Sequence, residues 1–305
     1  MPALARHLRW KAKTWAHRRL ARGVLGTPPV PARGDGLIVL SMVGSGAIAP
    51  YLVAAKSLLR MLGEGRALVI DDGTLSRADR GALARHLPGV EVRAIGAVDT
   101  GPCPRGGTWE RLLTILDLRG DAYVVQLDSD TVTLGPVPEV VGPVRANRSF
   151  SLRGEATSAL ADAAAFAASL PPLPEPMHVQ HAAERGLPRL ELPIARSRYF
   201  RGCSGFAGFA RGGDGRVLAE AFSRESARVL GPARWGRWGS EQVTSNFIVA
   251  NDPDPLLLPY ARYLNHTGGT PPADAAFVHY VGEWRFESRS YRDATARAIR
   301  ALATA

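Results

Sequence analysis

From residue 37 the chain alternates short, almost wholly apolar runs with longer stretches whose apolar residues recur at helical spacing. Leu37–Val43 is the first run; it ends in Gly44-Ser45-Gly46 and leads into a helical pattern over 49–62. A second run, 67–70, closes on Asp71-Asp72-Gly73, after which 76–87 reads as a helix with Ala82, Leu83 and Leu87 on one face. A third strand is predicted at 90–95, a helix at 109–118, and a fourth strand at 122–127 that runs into Asp128-Ser129-Asp130. Short apolar strands separated by helices predict a parallel α/β sheet. Ligands of such sheets bind beyond the carboxyl ends of the strands. Glycine or aspartate occupies three of those ends, at 44–46, 71–72 and 128–130.

The pattern is less regular elsewhere. An alanine-rich helix is expected over 156–170, then an extended Pro171-Pro172-Leu173-Pro174-Glu175-Pro176 spacer. Residues 151–200 read as an insertion, a lid that orders on ligand binding. Ser240 is placed to cap a helix running to Ala250, and a basic helix is expected over 291–303. Arg234-Trp235-Gly236-Arg237-Trp238-Gly239, just ahead of that cap, offers two indoles and two guanidiniums as a ligand subsite or as packing anchors. Residues 1–24 hold seven Lys/Arg (Arg6, Arg9, Lys11, Lys13, Arg18, Arg19, Arg22) and no acid, with Leu4, Leu8, Ala12 and Trp15 at helical spacing. That segment reads either as an interfacial helix on an anionic membrane or as a basic helix packed on the main domain. Pro28, Pro29 and Pro31 then mark a linker.

Composition narrows the class. At 305 residues, 46% apolar and 22% charged, the chain is an ordinary globular protein with length for one large domain or two small ones. Its apolar runs fall far short of the roughly 20 residues that span a bilayer. Two distant cysteines, Cys103 and Cys203, suggest neither a disulfide framework nor a zinc site, so a reduced, cytoplasmic protein is expected. The formal charge of +10 is nearly all arginine, lysine occurring only at 11, 13 and 56, and it is compatible with nucleotide phosphates, anionic lipid or nucleic acid, among which charge alone does not choose. Aromatic-basic alternation on strands, helix-turn-helix and zinc signatures are missing from the sequence, which argues against nucleic acid.

The Asp-Ser-Asp motif is the sharpest chemical signal. Alternation along a strand end puts the carboxylates of Asp128 and Asp130 on one side, where they repel unless a cation joins them. A hard divalent ion, Mn²⁺ or Mg²⁺, takes one or two carboxylates together with substrate phosphates. An Asp-x-Asp tripeptide arises by chance about once in a chain of this length. Asp252-Pro253-Asp254 is a second copy, read as turn chemistry because of its prolines and Asn251. Gly44-Ser45-Gly46 does not complete a dinucleotide fingerprint, since position 49 is alanine, and the phosphate loop G-x-x-x-x-G-K-[ST] does not occur.

Arg111-Leu112-Leu113, followed by Tyr123-Val124-Val125-Gln126-Leu127-Asp128-Ser129-Asp130-Thr131-Val132, resembles the "R-L … v-v-y-L-D-x-D-t-v" region of GT-A nucleotide-sugar glycosyltransferases, above all the retaining family eight. Further segments come in that family's order. Cys203 to Phe209 is similar to its "f-N-x-G-v", Ser240-Glu241-Gln242 with Asn246 to "D-Q-x-x-x-N", Leu258 to Asn265 to "L-P-x-x-y-N", and His279 to Phe286 to "H-x-x-G-x-x-K-P-W". The resemblance spans roughly 36–287 and implies a GT-A α/β domain with a mixed, mainly parallel sheet. It further implies metal-dependent transfer of a hexose from a nucleotide-sugar donor, by that resemblance a UDP-sugar, to a glycan or lipid-linked acceptor. His279 is implied as the third metal ligand beside Asp128 and Asp130, with Ser129, Arg111 and Gly282 on the donor. Arg285 takes the place of the family's lysine on the leaving phosphate, presenting a rigid fork instead of a point charge; the Pro-Trp that should follow it is missing. Gln242 is implied beneath the anomeric carbon of a retaining transfer. Glu241 is the candidate general base of an inverting one, or else a helix N-terminal acid. Ser41, Tyr51 and Asp72 are nominated for the nucleotide.

The expected organisation is a basic arm and linker at 1–33, a glycosyltransferase domain at 34–288 and a C-terminal helix at 289–305. Within the domain, 34–150 is the nucleotide-binding half, 151–200 the insertion, and 201–288 the acceptor and catalytic half. The expected location is cytoplasmic, with residues 1–24 resting on the inner face of a membrane. Two rivals remain. A sugar-phosphate nucleotidyltransferase would carry a basic, glycine-rich loop after the first strand, where Gly44 to Ala47 has no basic residue. A non-catalytic nucleic-acid-binding protein is the other.

Overall fold

The computed structural model describes residues 2–304, without the side chains of residues 1–6 and Glu283; Leu4 and Arg6 of the basic arm therefore lie outside the described side chains. The elements in chain order are α1 (Pro2–Ala21), β1 (Leu37–Val43), α2 (Ile48–Leu62), β2 (Arg66–Asp71), α3 (Arg77–His86) and β3 (Glu91–Ala94). Next come α4 (Trp109–Leu118), β4 (Tyr123–Leu127), β5 (Thr131–Thr133), α5 (Pro138–Arg145), β6 (Phe150–Arg153), β7 (Ala161–Asp162), α6 (Ala163–Ser169) and α7 (Val179–Gly186). The remainder is β8 (Arg198–Tyr199), β9 (Gly202–Phe209), α8 (Gly215–Leu230), α9 (Pro232–Trp235), α10 (Ser240–Asn251), β10 (Leu256–Leu257), β11 (Tyr263–Asn265), β12 (Phe277–His279) and α11 (Ser290–Ala303).

The expected mixed, mainly parallel α/β architecture is present: a seven-stranded sheet in the order β10-β6-β9-β4-β1-β2-β3. The chain forms two compact units, one made of 1–94, 127–141 and 259–305, the other of 95–126 and 142–258. In the first unit β1, β2 and β3 pair in parallel, and Leu37 to Leu40 are buried as their apolar run requires. Helix α2 stops at Gly63, whose φ of 76° lets its N–H return to the Leu59 carbonyl at 3.0 Å. Helix α3 starts in a capping box between Ser76 and Asp79, so the predicted start at 76 has its physical cause. A second, three-stranded sheet in the order β11-β12-β5 also belongs to this unit. In the second unit β6 pairs antiparallel with β9 and parallel with β10.

Three local expectations need correction. The alanine-rich helix does not fill 156–170 but begins at Ala163, because the Asp162 side chain accepts from the N–H groups of Ala164 and Ala165 and fixes the N-terminus there. Ser240 does not cap α10: Gly239, at φ 108°, takes the cap position, and the Ser240 hydroxyl accepts from Trp109 Nε1 at 2.9 Å and donates to the Arg237 carbonyl. The arm turns its other face to the protein. Leu8 and Trp15 are 57% and 65% exposed, while His17 and Ala21 on the opposite side are buried. Among the described residues no helix is long and apolar enough to cross a membrane.

Candidate functional site

Strand β4 delivers Asp128 and Asp130 to the turn before β5, where Thr131 Oγ1 donates to the Asp128 carbonyl and the Tyr280 N–H to the Asp130 carbonyl. The short strands explain how a histidine far along the chain reaches them. Strand β12 pairs antiparallel with β5, setting His279 opposite Thr131, and parallel with β11, setting Asn265 beside His279. Paired residues project to the same face. His279 Nε2 thus lies 3.2 Å from Asp130 Oδ1 and 3.8 Å from Asp128 Oδ2. One ligand atom from each of the three fits within 4.8 Å of the others.

On the far side of the ring, His279 Nδ1 is 3.0 Å from Asn265 Oδ1. An amide oxygen there makes Nδ1 the donor and leaves Nε2 facing the carboxylates, where it donates to Asp130 when the ring is protonated and offers its lone pair to a cation when the ring is neutral. Arg285 Nη2 donates to Asp130 Oδ2, and its Nε holds the Tyr280 carbonyl at 2.9 Å. Burial pushes the Asp130 carboxyl upward, but His279 and Arg285 outweigh it and hold the group at about 2. Two carboxylates and an imidazole oriented by the Asn265 amide are a donor set that fits Mg²⁺ or Mn²⁺. Gly282, at φ 57°, opens the 3₁₀ turn Gly282–Phe286 that carries Arg285; a side chain at this left-handed position would be strained.

Helix α1 packs against that turn. Lys13 Nζ donates to the Phe286 carbonyl at 2.7 Å, Trp10 meets Phe286 edge-on, and the His17 ring stacks on Tyr291 at 3.8 Å. Burial, with Arg285 and Arg292 nearby, lowers the His17 pKa to about 4. At the end of β1, Asp72 sits where a Cβ on Gly44 would come within 2.2 Å of Oδ2, so only glycine admits it. Asp72 Oδ1 is held by the N–H and hydroxyl of Thr74, while Asp71 is buried and tied into its own turn by the N–H groups of Gly73 and Leu75. Of that pair, Asp72 is the one open to a ligand. Ser129 is half-buried between the two site aspartates. Ser41 and Tyr51 are core instead: both are fully buried, and Ser41 Oγ is spent on the Leu127 carbonyl at 2.6 Å. Neither side chain presents a surface to a nucleotide.

The second unit gathers the other nominated residues. Glu241 is 2% exposed, accepts from Thr108 Oγ1 at 2.9 Å and pairs with Arg111 at 3.5 Å, so Arg111 and Glu241 stand together as a buried ion pair. Gln242 is half-buried; its Oε1 accepts from the Ser204 N–H at 3.2 Å, and its Nε2 donates to Gln180 Oε1 at 3.1 Å. Asp252, from the second Asp-x-Asp copy, accepts from Arg119 and Ser149, which agrees with its structural reading. Asn265 appeared in the sequence only as the last letter of a motif, and Gln180 not at all. A side chain positioned by strand register or helix packing leaves no spacing rule to find it by.

No family model matches the chain, and no curated protein matches it. Its fold is nevertheless shared with solved glycosyltransferases. The chain is similar to the bifunctional glycosyltransferase WbbM over 88% of its own length and 50% of that chain, at 16% identity and a TM-score of 0.52. It is similar to the galactosyltransferase LgtC, solved with donor and acceptor sugar analogues, over 86% of its own length and 95% of that chain, at 14% identity and a TM-score of 0.51. The chain thus spans half of the first of these proteins and nearly all of the second. These likenesses establish the GT-A fold.

Proposed function

We propose that this protein is a metal-dependent glycosyltransferase that moves a hexose from a nucleotide diphosphate sugar, a UDP-sugar, to a glycan or lipid-linked acceptor. The observation that carries this reading is the convergence of Asp128, Asp130 and His279, backed by Asn265 and Arg285, on a fold shared with sugar transferases. Asp128, Asp130 and His279 would hold the ion, which neutralises charge on the diphosphate as it departs. Asn265 keeps the imidazole in the ligating tautomer. Arg285, already charged and held at the Tyr280 carbonyl, contributes guanidinium N–H groups to the leaving phosphate. Asp72 takes the nucleoside, and Gly282 gives the Arg285 turn its path.

We assign Gln242, rather than Glu241, the contact with the reacting sugar, and read the transfer as retaining. A general base must reach the acceptor hydroxyl. Glu241 is instead sealed against Thr108 and Arg111, whereas Gln242 retains accessible surface. The test is calorimetric titration of UDP with Mn²⁺, with EDTA, and with an Asp128→Ala/Asp130→Ala variant. Binding should fall at least about tenfold in both of the latter. Binding indifferent to the metal and to the aspartates would sink the reading.

The outward face of α1 sets Leu8 and Trp15 among exposed Arg9, Lys11, Arg18, Arg19 and Arg22, a composition suited to the anionic inner face of a membrane. Sedimentation with phosphatidylglycerol vesicles should carry the protein down at low salt and release it at about 0.5 M salt, where charges are screened beyond a few ångströms. Phosphatidylcholine vesicles should not carry it.

A further inference from the structure

The two indoles of the Arg234 to Gly239 segment have different fates. Trp235 is 1% exposed, donates from Nε1 to Ser223 Oγ and packs edge-on against Trp109, so it anchors the fold. Trp238 is 71% exposed, the most exposed large apolar side chain among the described residues. Its surroundings are polar and specific. The His178 ring meets it edge-on at 5.9 Å, and His181 lies 6.5 Å beyond His178. His178 comes this close because Gly239 has no Cβ; one built there would fall 2.6 Å from His178 Cε1.

The chemistry these groups present is defined. His178 Nδ1 accepts from the Gln180 N–H at 3.3 Å, so in the neutral ring Nε2 carries the proton and is a donor. Partial burial and the neighbouring His181 lower the His178 pKa, which keeps the ring neutral at physiological pH despite Glu184. Gln180 extends the cluster to Gln242 through its 3.1 Å bond. The nearby Arg234 is engaged by Glu175. An open indole face beside a neutral imidazole donor and an amide matches a ring with one apolar C–H face and a rim of hydroxyls.

We propose that Trp238, His178, His181 and Gln180 form a subsite for a neutral pyranose of the acceptor, with the sugar stacked on Trp238. This rests on the transferase reading only for the word acceptor, since it takes the bound sugar to be the one glycosylated beside Gln242. The cluster belongs wholly to the second unit, whereas the residues assigned to the metal belong to the first.

The experiment is saturation-transfer NMR with methyl β-galactopyranoside, methyl β-glucopyranoside and methyl α-glucopyranoside, one at a time, on the full chain. At least one glycoside should show ring C–H saturation. That signal should vanish in Trp238→Ala, persist in Trp238→Phe, and weaken about threefold to tenfold in His178→Ala, the loss expected for one hydrogen bond. A thermal melt of each variant checks folding. Failure of all three glycosides to bind, or a signal that survives Trp238→Ala, overturns the subsite. UDP titration with Mn²⁺ on the same samples separates the two ideas. Glycoside binding that depends on Trp238 without UDP binding keeps a sugar site and discards the transferase. UDP binding without a Trp238-dependent glycoside does the reverse.

Discussion

Asn265 illustrates how much a site can depend on a residue that touches no substrate. Its amide fixes the tautomer of His279, and outer-shell partners of this kind typically contribute about tenfold to a hundredfold in metal affinity. Asn265→Ala should therefore weaken Mn²⁺ binding by that factor, measured by electron paramagnetic resonance titration, with little change in the melt. Glu241 gives the opposite pattern. Removing one partner of a buried pair leaves the other charge uncompensated, at a cost of about 3–5 kcal/mol. Glu241→Gln should lower stability to urea, because the buried pair with Arg111 loses one of its two charges. A catalytic base at 241 would show the reverse: full stability and lost turnover. Asp128 and Asp130 were legible in the sequence because their relation is local, two positions apart at the end of an apolar run. The pairing of Glu241 with Arg111 was not, since nothing in either segment points to the other.

Among the elements, α1 shows where periodicity runs out. Leu8 and Trp15 mark one face of the helix, yet the face that packs is the one bearing Trp10, Lys13, His17 and Ala21. A mixed stripe of that kind has little apolar contrast, and only the aromatic surface of Phe286 and Tyr291 decides which side is buried. His17 makes the packing testable. Its pKa falls from 6.5 to about 4 on folding, so between those values the unfolded chain binds a proton that the folded chain refuses. Stability should thus decline as pH drops from about 6.5 toward 4, and His17→Phe should flatten that part of the curve. The strands β1, β2 and β4 were readable because burial on both faces gives continuous apolar runs. The three-residue strands β11 and β12, which bring Asn265 and His279 together, are too short to have any period. At the end of β1, Gly44→Ala should displace Asp72 and weaken UDP binding, checked by the same titration.

At the scale of the whole molecule, the division into two units gives a spatial prediction. Asp128, Asp130, Asn265, His279 and Arg285 all belong to the first unit, and Trp238, Gln180 and Gln242 to the second. Hydrogen exchange with UDP and Mn²⁺ should slow amides around 127–133, 263–266 and 277–286. Exchange with a bound glycoside should slow those around 178–181 and 236–242. Ligand at about a hundred times its dissociation constant should also add about 2.7 kcal/mol to the unfolding free energy by mass action. The seat of α1 on the turn that holds Arg285 has one more consequence. Its arginines and lysines are tryptic sites, yet a helix clamped by Lys13 and His17 yields its backbone to a protease only when it lifts off. The rate of trypsin nicking at Lys13 to Arg22 therefore reports how often α1 leaves the turn that carries Arg285, and a donor that tightens that turn should lengthen the life of the arm.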